Sequence, residues 1–108
     1  MTKMLKELKK DLDQRGESYG RFAEQAHISV SLKNIVDLAF NDSWTFAQLP
    51  SRKQHVVQEG LSMILHKISR LANGDPTHYD SWKDIAGYAA IVVRDLEALT
   101  EEEVHEQL

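Results

Sequence analysis

The sequence contains no cysteine, which excludes disulfides, thiolate nucleophiles and cysteine-based zinc sites. It holds only two prolines and five glycines in 108 residues, too few breakers for a loop-rich chain, so helices are favoured. No segment approaches the roughly 20 apolar residues needed to cross a bilayer. Met1 to Lys10 has no unbroken apolar run of the kind a signal peptide requires. An excess of positive charge is also missing: 13 Lys and Arg against 17 Asp and Glu give a net charge of −4. That argues against general nucleic-acid binding, because affinity for a phosphate backbone needs concentrated basic side chains. Thirteen basic residues still suffice for a local pocket for one small anion. The expectation is a soluble, cytoplasmic protein folded as one domain over residues 1–108, with no membrane association.

What is present is helical periodicity. Leu5, Leu8 and Leu12 mark an amphipathic helix over residues 3–14, its apolar stripe expected to pack on the domain. Gly16 is read as its interruption and Ser18 as a cap for the next helix. Phe22, Ala26, Ile28 and Leu32 would supply contacts there, and Leu32, Ile35, Val36, Ala39 and Phe40 continue the period until Asn41-Asp42-Ser43 ends it. Trp44 to Pro50 reads as a linker, with Ser51 capping a long helix over about 52–72. The face formed by Val57, Leu61, Ile64, Leu65, Ile68 and Leu71 ends at Asn73-Gly74, glycine being read as a left-handed terminal residue. A short connection then predicts an antiparallel helix capped by Asp80 or Ser81. Thr100-Glu101-Glu102-Glu103 resembles a capping box opening a short acidic tail. The fold class is all-α, a compact helical bundle of about four main helices.

The polar chemistry collects on two of these helices. Glu59, Ser62, His66 and Arg70 advance by three or four residues and share a face, with Lys67 beside them; Asp80, Asp84 and Tyr88 form a comparable line on the next helix. Two uses fit this pattern. In one, the charges pair with one another as an interhelical network. Alternatively, Lys67 and Arg70, with His66, bind phosphate oxygens, while Asp80 and Asp84 hold Mg²⁺ with Glu59 as a third oxygen ligand. Trp82 is a candidate platform for stacking a base. The five histidines show no zinc-binding spacing, no Gly-x-Ser-x-Gly elbow supports a serine nucleophile, and Gly16 and Gly20 lack the Gly-Lys-Ser/Thr ending of a phosphate loop.

Several blocks carry a resemblance: Arg15-Gly16, Tyr19-Gly20-x-Phe22, Glu59, His66-Lys67-x-x-Arg70, Asn73-Gly74-Asp75-Pro76 and Asp80-x-Trp82-x-Asp84-Ile85-Ala86-Gly87-Tyr88. Together they resemble a family of small phage and prophage proteins over about residues 13 to 96. The arrangement is also distantly similar to the all-α nucleoside triphosphate pyrophosphohydrolases, the MazG and dUTPase-like group. Those enzymes hold Mg²⁺ with Glu-x-x-Glu on one helix and Glu-x-x-Asp on the next. The resemblance implies a nucleotide-handling protein, a Mg²⁺-dependent hydrolase activity and a homo-oligomer. The chain departs from the pattern at Ser62, where a second acid would follow Glu59, which favours binding a nucleotide over hydrolysing it. The competing expectation is a non-catalytic module that binds a host protein, its polar block serving as a structural network. Lys67, Arg70, Asp84 and Tyr88 lining a concave site would favour the first; mutual pairing under closed packing would favour the second.

Overall fold

The computed structural model describes the backbone of residues 2–19 and 21–107, and the side chains of residues 2–11, 13–14 and 21–99. It is all-α, with no strand among the described residues. The elements are α1 (Thr2–Tyr19), α2 (Phe22–Asn41), the single turn α3 (Trp44–Ala47), α4 (Ser51–Asn73) and α5 (Tyr79–Gln107).

α4 is the centre of the arrangement, packing α5 along one side and α2 along the other. Both neighbours run antiparallel to it. The Asn73 amide at the end of α4 donates to the Arg21 carbonyl at the start of α2 (2.8 Å), and Lys67 of α4 meets Asp84 of α5 (2.9 Å). The α4–α5 seam is close because Gly60 has no side chain; a Cβ there would overlap the Val92 Cγ2 methyl. On α2 and α4 the buried groups are Gln25, Ser29, Ser69 and Leu71, three of them polar. Ser69 satisfies itself by donating to the His66 carbonyl (2.6 Å), so its burial leaves no orphaned hydroxyl.

Local chemistry explains most boundaries. Ser43 accepts from the Phe46 amide and so caps α3, turning the expected Trp44–Pro50 linker into one helical turn. Phe46 packs on Phe40 with ring centroids 4.5 Å apart, an ordinary offset aromatic distance. Gln54 then donates to the Phe46 and Leu49 carbonyls (3.0 and 3.1 Å), holding that turn against the first turn of α4.

Several expectations are corrected. Gly16 lies inside α1, which continues to Tyr19; one glycine costs a helix about 1 kcal/mol and need not end it. Ser18 is therefore within a helix and not before one, and its side chain lies outside the described residues, as does that of Leu12. The N-cap of α4 is Pro50, without a side-chain bond, and Ser51 is the first helical residue. Gly74 ends α4 at φ −137°, so no left-handed cap is formed. The cap of α5 is neither Asp80 nor Ser81: the His78 Nδ1 accepts from the Ser81 amide (3.3 Å) and lies 2.9 Å from its hydroxyl. α5 passes unbroken through Thr100 to Gln107, so Thr100 opens no new turn; the acidic side chains there, and His105, are outside the described residues. Phe22, Leu5 and Leu8, read as packed, are exposed.

The two glycines on the α4–α5 pair give opposite expectations. Gly60→Ala forces its methyl into Val92 and should lower stability by about 1–2 kcal/mol, overpacking outweighing the helix-propensity gain. Gly87 has nothing within 4 Å of a Cβ, so Gly87→Ala should raise stability by about 0.5–1 kcal/mol. Thermal melts of the two single variants check both signs.

Candidate functional site

The side of α4 between its two seams presents Glu59, His66 and Arg70, as the helical spacing predicts. It is flanked by two clefts. One, of about 410 Å³, runs along the α2–α4 seam and is lined by Lys33 and Asp37 of α2 and by His55, Glu59 and Ser62 of α4, among others. The second, of about 480 Å³, runs along the α4–α5 seam and is mostly apolar, with Val56, Met63, Tyr88, Ile91 and Val92 in its walls. His55 and Glu59 line both and form the ridge between them.

Cations converge toward the C-terminal half of this face. His66 is partly buried, and its basicity is held below the usual imidazole value, first by that burial and then by the positive charges of Arg70, Lys33 and Lys67. Three cations from two helices therefore act on His66. Lys33 was not among the candidates expected here. Its signal was the pair Lys33 and Asp37, one helical turn apart and so on the same side of α2.

Lys67 and Asp84 are paired. The ammonium lies 2.9 Å from the carboxylate, and the lysine side chain is only 13% exposed. A hydrogen bond from Lys67 holds the Asp84 carboxyl below the usual carboxylate range, helped by the charges of Lys67, Lys83 and Arg70. Neither residue lines the two clefts just described. Tyr88 does, sharing the α4–α5 cleft with Glu59.

The expected Mg²⁺ ligands do not gather. Among the described residues no group of three or more His, Cys, Asp or Glu is placed to hold a metal ion. Glu59 is eight residues from Lys67 along α4, roughly 12 Å on the helix axis, whereas Asp84 is bound to Lys67 itself. Asp80 is an exposed first-turn residue of α5. Glu59, Asp80 and Asp84 thus do not come together as a three-acid Mg²⁺ site. Trp82 is also elsewhere: two positions from Asp84 is about 200° around a helix. Its indole is 54% exposed and donates to the Pro76 carbonyl (2.9 Å). It braces the α4–α5 connection, next to the turn in which Asp75 accepts from the Thr77 amide and hydroxyl.

Two titrations should shape stability against pH. His66 binds its proton less readily folded than unfolded, so its contribution is full above about pH 6.5 and is lost as pH falls below that value. Asp84 is more acidic folded than unfolded, so its contribution is present above about pH 4 and lost as pH falls through the lower folded value. Thermal melts from pH 2.5 to 8 should show both limbs. His66→Gln should flatten the upper limb only, and Asp84→Asn the lower limb only while lowering the melting temperature at pH 7.

No curated protein and no solved structure matches the chain. A family model does: the chain belongs to the family described as a domain of unknown function, DUF6378, which matches residues 3–95 and so takes in the whole of the polar face.

Proposed function

We propose that this protein binds a nucleotide through the polar side of α4 and does not hydrolyse it. The observation that carries the reading is the convergence of Lys33, Arg70 and Lys67 on His66. Like charges held together on a half-buried surface are costly, and an anion placed among them relieves the cost. A phosphate group suits the arrangement, with Arg70 offering a planar fork and Lys33 a mobile point charge. The apolar α4–α5 cleft, with Tyr88 in its wall, offers a flat surface for a base within a nucleotide's reach along the same helix. Lys67, already neutralised in part by Asp84, contributes field more than contact. The separation of Glu59 from Asp84 supports binding over catalysis, because among the described residues no three acids or histidines are placed to hold a metal that would orient water.

A second reading keeps one specific observation in its favour. The Lys67–Asp84 pair joins α4 to α5, as an interhelical network in a non-catalytic module that binds a host protein would do. The two readings part on Lys33, which belongs to α2 and lies outside the α4–α5 pair.

His66 is the reporter that tests the proposal. Added inorganic phosphate, nucleoside monophosphate or triphosphate should raise the His66 pKa, read from its imidazole resonances, and raise the melting temperature by mass action. Nucleotides should act at lower concentration than phosphate alone. Lys33→Ala with Arg70→Ala should abolish both responses without unfolding the protein. No response to any of these anions at millimolar concentration would overturn the reading, and a response to phosphate unimproved by a nucleoside would remove the base cleft from it.

A further inference from the structure

α2, α4 and α5 form a layer one helix thick, and its two broad faces differ in kind. With α2 and α5 both antiparallel to α4 and their seams assigned, the right-handed helix dictates which residues look to each side. One face carries Lys33, Glu59 and His66. The other carries Ile35 of α2 (65% exposed), Ile68 of α4, and Trp82 and Val93 of α5 (54% and 58%). α2 also exposes Leu38 (66%) away from α4, and beyond α4 only α3 and a small contact from α1 reach it within this chain. α5 repeats Tyr79, Trp82, Ala86, Ala89, Val93 and Leu96 at alternating steps of three and four. That is an uncharged heptad seam, with small residues at its middle where another helix can approach closely.

We propose that this apolar face is the contact between two copies of the chain. The area argues for it. One chain exposes 8208 Å², against roughly 6,100 Å² expected for a compact monomer of its mass. Its radius of gyration is 18.0 Å, against roughly 13 Å. The excess, about 2,000 Å², is what one protomer of an obligate homodimer buries. Leu71, at 6% exposure, is the only apolar side chain among the described residues that is truly buried, so one layer alone has little core. A two-fold axis lets the same uncharged face serve both partners and closes a two-layer bundle with the polar faces outward.

Sedimentation equilibrium of the full chain between 1 and about 100 μM tests the inference, with circular dichroism to confirm that each variant is folded. The wild type should sediment at twice 12.4 kDa. Ile35→Glu and Val93→Glu change exposed side chains and should each weaken association about tenfold or more while leaving helicity intact. Val30→Glu, an equally exposed change on the other flank of α2, should remain dimeric. A monomeric wild type at 100 μM overturns the proposal, as does a dimer indifferent to both face variants or weakened as much by Val30→Glu. So does a monomer that instead binds phosphatidylcholine vesicles.

Discussion

Three helices laid side by side bury chiefly the seams between them, with smaller contacts from α1 and α3, and much of this protein follows from that constraint. α4 owns both seams. Toward α5 it offers Gly60, whose missing side chain admits Val92, and Lys67, which meets Asp84. Toward α2 the buried groups are short and polar, Ser29 and Ser69, so these two helices gain less apolar burial for the same closeness. Such a layer has two open faces whatever its sequence. What the sequence decides is how each is used: one is left to water and charge, the other to apolar contact.

On the polar face the charges are sorted along α4. Glu59 and His55 lie between two clefts in its N-terminal half, with Arg52 in the turn before them; His66, Lys67 and Arg70 lie in its C-terminal half. The last turn of a helix carries partial negative charge, which makes it a favourable place for Arg70. The cations are nevertheless close enough to one another to suppress the protonation of His66. Asp84 offsets part of that crowding through Lys67. The result is a surface on which cations from α2 and α4 crowd His66, while among the described residues no three acids or histidines are placed to hold a metal ion.

Much of the fold was legible in the periodicity. The long helix ending near Asn73, the antiparallel helix after it and the end of α2 at Asn41 all stand where the apolar spacing put them, because those runs are long and their breakers strong. The boundaries that failed rest on single residues. Gly16 reads as a break, but a glycine only weakens a helix; Ser51, Asp80 and Ser81 are good caps by residue type, but Pro50 and His78 occupy the positions. On the polar face, spacing placed Glu59, His66 and Arg70 together correctly, since one helix carries all three. It missed Lys33 and misplaced Trp82, because both depend on which side of a helix faces its neighbour.

By itself the sequence determined the helices, their antiparallel order and the charge carried by each, since these depend on contacts within a few turns of the chain. Only the tertiary structure decided that Lys67 is spent on Asp84, that Lys33 joins His66 and Arg70, and that Glu59 stands apart from Asp84. It also decided that Ile35, Ile68, Trp82 and Val93 share one uncovered face. The physical reason is the same in each case. Helical spacing fixes angles around one axis, but the rotation and register of one helix against another come from side chains at the seam, here Gly60, Val92, Ser29 and Ser69, whose effect exists only once the helices meet.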